Sequence, residues 1–282
     1  MRRALFVLFF VATIGVAVGW VYRGPIRGYL YSSQQPSLPM AQAFRPFAAS
    51  STTSSLSATS TKEMKVTKTR TRTLVVATST VLDPFSKSAM LPESVNLAVP
   101  FLSQAPKGDW SYPYEEACEE ATTLMVDAFY KGRTQNFQPE EGDKAILDLV
   151  AFENHLLGYY EDTSATATAR FVTAYFHYPR VILKQNPTVD EIKRALANGY
   201  PVILPAYGKA LPNPNFRNGG PPYHMVLIKG YLKDGRWITN DSGTHLGANF
   251  LYSQQSLMQA NHDWNNGDVV HGDRVAMIIL PN

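Results

Sequence analysis

Cysteine is almost absent from this chain, whose 282 residues contain a single one, Cys118. One thiol cannot form an intramolecular disulfide, so the fold has to be stable without such a bond. A lone cysteine is either a small buried apolar residue or a reactive nucleophile. Composition does not separate these two interpretations, and the residues around Cys118 have to decide between them.

Charged residues are also scarce, at 17% of the chain, and the formal net charge is only +3. So small a net charge gives no reason to expect a nucleic-acid partner. The hydrophobic fraction of 45% indicates a mostly globular chain, long enough for a sizeable core. The sequence also lacks a His-Glu-x-x-His motif, and His245, His262 and His271 do not have the spacing of metal ligands. We therefore expect no metal and no cofactor.

One long hydrophobic run stands out, at residues 4–22. At about 19 residues it is just long enough to cross a bilayer core of roughly 30 Å as a helix. The alternative is a cleaved signal peptide, because residues 16–19 resemble a small-x-small cleavage site, but its apolar region is usually about 7–15 residues. We favour an uncleaved signal anchor at residues 1–31. This predicts a single-pass cell-membrane protein with its remaining chain outside the cytoplasm, or a secreted protein if the segment is cleaved.

Residues 32–94 are predicted to form a flexible linker. Residues 48–61 are almost wholly Ser, Thr and Ala, and cannot bury enough apolar surface to offset the entropy lost on ordering. Basic residues follow at Lys62, Lys65, Lys68, Arg70 and Arg72. They either keep a solvated linker soluble or contact anionic lipid or cell-wall polymer. The globular domain is then predicted over residues 95–282.

The order of the periodic segments in this domain predicts an α+β fold. Apolar residues recur at helical three-and-four spacing after Cys118, and later segments have the pattern of buried strands. The predicted helices are residues 118–130, 139–157, 165–176, 188–197 and 253–260. The predicted strands are residues 180–184, 200–206, 224–232, 236–240, 248–252 and 274–280. Helices come first and antiparallel strands last, so we expect an N-terminal helical layer packed on a curled antiparallel sheet.

Cys118 is predicted to be the first residue of a helix, after the polar residues 108–116. Backbone N–H groups and the helix dipole stabilise a thiolate at such a position, and the thiolate is the form that attacks a carbonyl carbon. Glu119 and Glu120 oppose this effect, because their negative charge disfavours a neighbouring anion. The alternative is that Cys118 is only a small apolar residue of a core helix.

His224 and Asp241 are expected at the same edge of a predicted hairpin, which has its turn signal at residues 233–235 and a four-residue loop at residues 232–235. With an even-numbered loop, positions 224 and 241 share one face of the sheet, and Asn240 points to the other. Asp241 should therefore orient the His224 imidazole and stabilise its protonated form. The alternative is a strand-end histidine that merely lies beside a turn aspartate.

Gln104 is a fourth candidate, since a side-chain amide can donate to the oxyanion of a tetrahedral intermediate together with the Cys118 backbone N–H. It lies in the first of four segments, VPFLSQAPKGDW, PYEEACEEATTLM, YHMVLIKGY and TNDSGT. In this order and spacing they resemble the stand-alone relatives of the double-glycine leader peptidases, the C39-like peptidase family. The resemblance covers the chain from about residue 96 onwards and implies a papain-like cysteine peptidase fold.

The resemblance also implies four catalytic roles: nucleophile, base, orienting acid and oxyanion donor at Cys118, His224, Asp241 and Gln104. The chain differs from the transporter-linked members of this group in two respects. Residues 105–117 are an insertion between the glutamine and the cysteine, and Glu119 replaces the glycine that follows the cysteine in those members.

These observations predict a membrane-anchored, extracytoplasmic cysteine peptidase that hydrolyses peptide bonds with a Cys-His-Asp triad. Its expected partners are a peptide or protein substrate and, through the N-terminal helix, the membrane. One alternative uses the same thiol chemistry, as an amidase or acyl transferase acting on cell-wall peptides. Another is a catalytically silent binding module on the cell surface.

Overall fold

The computed structural model of this chain describes residues 35–46, 83–86 and 90–281. The predicted helices and strands are present, with ends shifted by at most about two residues. The helices are α1 (Cys118–Tyr130), α2 (Pro139–Leu157), α3 (Ala165–Phe176), α4 (Val189–Ala197) and α5 (Gln254–Ala260). The strands are β1 (Val95–Asn96), β2 (Arg180–Gln185), β3 (Val202–Ala206), β4 (His224–Tyr231), β5 (Arg236–Asp241), β6 (Phe250–Ser253) and β7 (Val275–Leu280).

The strands form one antiparallel sheet in the order β2-β7-β3-β4-β5-β6, and the short β1 pairs with β4. Strands β3, β4 and β7 are buried along their whole length. Their sequences are largely continuous apolar runs, which is the pattern of strands covered on both faces. Helix α1 packs against β4, α2 packs on α1, and α3 packs on β2. The predicted α+β class is confirmed.

Helix α1 is buried on all sides, although its apolar spacing predicted a single buried stripe. The reason is its central place in the fold: β4 lies against it on the sheet side, and α2 and α3 pack against it as well. The acidic side chains of its first turn, Glu119 and Glu120, are therefore removed from water.

The β4–β5 hairpin contains a bulge that the sequence did not predict. The pairing register shifts by one residue between Ile228 and Gly230, and beyond this point Val226 pairs with Asp241. Because side chains alternate along a strand, Asp241 shares a face with Val226 and hence with His224. Gly230 is required at the bulge, since a side chain there would collide with the backbone of β1.

Two stretches from the predicted linker pack on the domain. The backbone N–H of Gln42 donates to the carbonyl oxygen of Asn96 at 2.8 Å. The ring of Phe44 packs edge-to-face on Phe129, with ring centroids 5.6 Å apart. The carbonyl oxygen of Pro84 accepts a hydrogen bond of 2.9 Å from the side-chain amide of Asn198, the C-cap residue of α4. The predicted domain boundaries after residues 31 and 94 stay a prediction, and residues 47–82 lie outside the described part.

The predicted membrane anchor is corrected here. Within residues 35–46, 83–86 and 90–281, no helix is both long and apolar enough to cross a membrane. Even the long helix α2 carries many charged side chains. The hydrophobic run at residues 4–22 lies outside the described residues. The predicted transmembrane helix, signal anchor, membrane contact and single-pass location are therefore withdrawn.

Candidate active site

Cys118 is the first residue of α1, where backbone N–H groups have no intrahelical acceptor. Its side chain is 5% exposed, and its thiol donates to Oε2 of Glu119 at 2.9 Å. Burial raises the pKa of this thiol well above its usual value, and Glu119 raises it further. A hydrogen bond with the backbone of Met225 acts in the opposite direction. In this arrangement Cys118 is a protonated thiol.

His224 and Asp241 form a buried, hydrogen-bonded pair. His224 is the first residue of β4 and Asp241 is the last of β5. Nε2 of His224 lies 2.8 Å from Oδ1 of Asp241, and the two side chains are 1% and 0% exposed. Because Nε2 faces the carboxylate, Nδ1 is the ring nitrogen left to exchange a proton with a nucleophile.

The Asp241 carboxylate has several further donors. Asn213 Nδ2 and the Tyr252 hydroxyl donate to Oδ2 at 2.9 and 2.6 Å, and the Gly243 N–H donates to Oδ1 at 3.1 Å. Burial acts to raise the pKa of Asp241, but the attraction of His224 and the hydrogen bonds outweigh it, and the pKa lies below its usual value. Asp241 is therefore a charged carboxylate that fixes the His224 tautomer and stabilises the imidazolium.

The start of α1 lies beside the start of β4. The Cys118 thiol interacts with the backbone of Met225, the residue after His224, and the Thr122 hydroxyl of α1 donates to the Met225 carbonyl oxygen at 3.5 Å. Among the hydrogen bonds of the described residues, none joins Cys118 directly to His224, because the thiol donates to Glu119 instead. Proton transfer to Nδ1 therefore requires the S–H bond to turn towards the imidazole.

The side chain of Gln104 is hydrogen-bonded to the segment before Cys118. Its amide nitrogen donates to the carbonyl oxygens of Tyr114 and Glu115, both at 3.0 Å, and its Oε1 accepts from the Ser242 hydroxyl at 3.4 Å. Residues 105–117 fold so that their last turn, Tyr114–Glu116, brings these carbonyl oxygens to the Gln104 amide. Both amide hydrogens are thus used by backbone carbonyls in this arrangement.

A cleft of about 420 Å³ opens next to these residues, and Gln104 and Gly243 are among its lining residues. A Cβ atom at Gly243 would lie 3.0 Å from Cε1 of His224, so the missing side chain leaves the imidazole close to the cleft. The Phe216 ring, which also lines the cleft, packs edge-to-face on His224 with centroids 5.5 Å apart. Further lining residues are Trp110, Glu115 and Glu116.

Comparison with known protein families identifies the family of this chain. The sequence profile of the Peptidase_C39 like family matches residues 96–266. The chain belongs to this family. A solved structure of a candidate C39-like peptidase from Bacillus anthracis is similar, with a TM-score of 0.44 and 16% identity over 68% of this chain and 99% of that chain. No curated protein matches the chain. The predicted family and its papain-like α+β fold are confirmed.

Three acids of this C39-like domain form a buried cluster next to Cys118. Glu119 and Glu120 of α1 and Glu153 of α2 are each 0% exposed. Burial, the largest cause, raises the pKa of Glu120 to about 8 and that of Glu153 to about 12, and it raises the pKa of Glu119 well above its usual value. Glu119 and Glu120 were predicted to disfavour a thiolate at Cys118 through their negative charge, and no sequence pattern indicated that they are buried.

Two further residues of this C39-like site were not predicted, namely Asn213 and Tyr252 on Oδ2 of Asp241. A loop asparagine and a strand tyrosine are common, so no local signal distinguishes them. Asn240, which lies beside Asp241 in sequence, points elsewhere: its amide donates to the carbonyl oxygens of Val99 and Pro100 at 3.2 and 3.1 Å. In the described part of the chain, no group of three or more His, Cys, Asp or Glu side chains is arranged to hold a metal ion.

Proposed function

We propose that this chain is a cysteine peptidase in which Cys118, His224 and Asp241 act as a triad. The buried His224–Asp241 pair carries the proposal, because a thiol nucleophile at a helix start needs an imidazole whose protonated form is stabilised. In the first step the Sγ–H proton passes to Nδ1 of His224, and the thiolate attacks the carbonyl carbon of a peptide bond. Asp241 stabilises the imidazolium that results.

The rest of the cycle follows from the same groups. The tetrahedral oxyanion is stabilised by the backbone N–H of Cys118 and by the Gln104 amide, one hydrogen of which has to leave its backbone carbonyl when substrate binds. His224 then protonates the leaving amine as the C–N bond breaks and a thioester remains on Cys118. Water, deprotonated by His224, hydrolyses the thioester and restores the thiol.

A second candidate function is a binding module without catalysis. The low exposure of the Cys118 thiol and its hydrogen bond to Glu119 favour this alternative. The two candidates differ in one measurable property: only a catalytic thiol owes its reactivity to His224.

Alkylation of the full-length chain tests the proposal, because Cys118 is the only cysteine and the label reports this thiol alone. We expect His224→Ala to slow alkylation near neutral pH at least about tenfold, since the thiolate loses its imidazolium partner. Cys118→Ser should abolish both labelling and the hydrolysis of a peptide library, followed by mass spectrometry. His155→Ala, an exposed histidine on α2, is the matched control. Equal labelling rates in wild type and His224→Ala would favour the silent binding module.

A further inference from the structure

Glu119 has a position that the mechanism above does not use. Its Oε2 is 2.9 Å from Sγ of Cys118, its side chain is fully buried, and its Oε1 has no hydrogen-bond partner in the described part of the chain. A buried carboxylate anion normally has a cation or several donors. The hydrogen bond from the Cys118 thiol lowers the pKa of Glu119, but burial and the charge of Glu120 raise it more, so the neutral, protonated form of Glu119 is favoured.

Among the described residues, the titratable side chains that interact with Glu119 are carboxyl groups, a thiol and a phenol, and none of them is a cation. No ion pair of the described residues includes Glu119, Glu120 or Glu153. The titratable side chains that interact with Glu119 come from α1, α2, the α2–α3 loop and the residue before β4; they are Cys118, Glu120, Glu153, Asp162 and Tyr223. Adjacent buried carboxyl groups without a cation cannot all be charged.

We propose that Glu119 is a further catalytic residue, which acts in its protonated form by donating its carboxyl O–H to the Cys118 thiolate. This inference rests on the thiol mechanism proposed above. Once the Sγ–H proton has moved to Nδ1 of His224, Sγ becomes an acceptor, and the O–H of Glu119 replaces the S–H in the same contact. The proton count balances, because the thiol proton is on the imidazole and the carboxyl keeps its own.

Ionised Glu119 has the opposite effect on the nucleophile. A carboxylate beside Sγ repels the thiolate and raises the pKa of Cys118. Burial first, and the charge of Glu120 second, raise the pKa of Glu119 and so keep its proton in place. Thiolate stabilisation is therefore present below the pKa of Glu119 and is lost as the pH rises through it.

Glu120 sets the pH at which this loss occurs. Its own pKa is raised to about 8, chiefly by burial. When Glu120 is charged, it disfavours a second charge on Glu119 and so holds the Glu119 proton to higher pH. A neutral side chain at position 120 should therefore let Glu119 ionise at lower pH.

The test is the rate of Cys118 alkylation by iodoacetamide in the full-length chain, measured between about pH 6 and about pH 10. Glu119→Gln keeps an N–H donor but cannot ionise. Its rate should match that of wild type at the acidic end and exceed it about tenfold at the alkaline end, the change that one pKa unit of the thiol gives. The rate of Glu120→Gln should instead fall below that of wild type at mildly alkaline pH, because the effect of an earlier ionisation of Glu119 on the thiol is larger than that of losing the weaker direct repulsion between Glu120 and the Cys118 thiolate. Glu140→Gln, exposed on α2, is the matched control and should leave the profile unchanged.

A ratio of the Glu119→Gln and wild-type rates that stays constant over the whole range overturns the proposal, because a role in packing alone does not titrate. Glu119→Gln could fail to fold, which circular dichroism would show, and Glu120→Gln then serves as the test. An alkylation rate of Glu120→Gln equal to that of wild type at every pH also overturns the proposal. Failure of the triad is seen separately, because it requires that His224→Ala leaves alkylation unchanged.

Discussion

At the scale of single residues, two of the buried carboxyl groups at the site, those of Asp241 and Glu119, have opposite surroundings. Asp241 accepts hydrogen bonds from His224, Asn213, Tyr252 and a backbone N–H, and these donors keep it charged. Glu119 has the Cys118 thiol as its side-chain partner, and burial favours its neutral form. Paired groups whose pKa values are pushed apart in this way are typical of acid–base sites. Asp241 suits the imidazolium, and neutral Glu119 suits the thiolate.

Replacing Asp241 by asparagine should lower turnover by at least about 100-fold, which is a typical rate contribution of general acid–base catalysis. The amide cannot stabilise the imidazolium, so the Cys118 thiol should also titrate at higher pH. Peptide hydrolysis and the pH dependence of alkylation measure the two effects. Asn240→Ala is the control, because the Asn240 amide donates to the Val99 and Pro100 carbonyls and not to His224, and its loss should lower turnover less. The assignment is contradicted if Asn240→Ala abolishes thiol reactivity while Asp241→Ala leaves it near that of wild type.

At the scale of elements, the helices were predictable because their signals are local. The capping box of Thr188 and Glu191, for example, is present at the start of α4. The β4–β5 register was not predictable, because the bulge near Gly230 forms where another segment, β1, pairs with β4. The predicted hairpin had an even-numbered loop and no bulge, and near the turn the observed pairing register differs from this prediction by one residue. Because the bulge shifts the pairing by one residue, the predicted register holds at Asp241, which pairs with Val226.

Gly230→Ala should destabilise the fold by about 3 kcal/mol, since an added Cβ meets the backbone of β1 and overpacking of a buried site is costly. Urea unfolding measures this loss. Gly132→Ala is a useful comparison: Gly132 has a φ of +79° but open space around it, so the cost there is backbone strain alone, about 1 kcal/mol. If both variants lose the same stability, close packing is not the reason for glycine at position 230.

At the scale of the whole molecule, the sequence predicted that the segments carrying the site residues lie together. It did not predict the hydrogen bonds and the burial of the side chains around them. The resemblance brought Cys118, His224 and Asp241 to one region, and the structure places the last two in contact. The contacts of Gln104 with the Tyr114 and Glu115 carbonyls depend on how the insertion folds, which no local pattern encodes. Burial of the first-turn acids depends on α2 packing against α1, a contact between segments distant in sequence.

The buried acids also predict how the stability of the whole fold depends on pH. The pKa of Glu120 is about 8 in the folded chain, against an ordinary value of 4.5. Between these values the folded state binds more protons than the unfolded state, so the free energy of unfolding must fall as the pH rises. The lowered pKa of Asp241 has the opposite effect only at pH values near and below its ordinary 3.8. We therefore expect the melting temperature to fall between about pH 5 and about pH 8, by roughly 2–4 °C for each 1 kcal/mol lost. Glu120→Gln should make this slope shallower, and the raised pKa values of Glu119 and Glu153 should maintain the remainder. The exposed Glu140→Gln should keep the wild-type slope, whereas parallel slopes in all three chains would show that Glu120 does not titrate in the folded core.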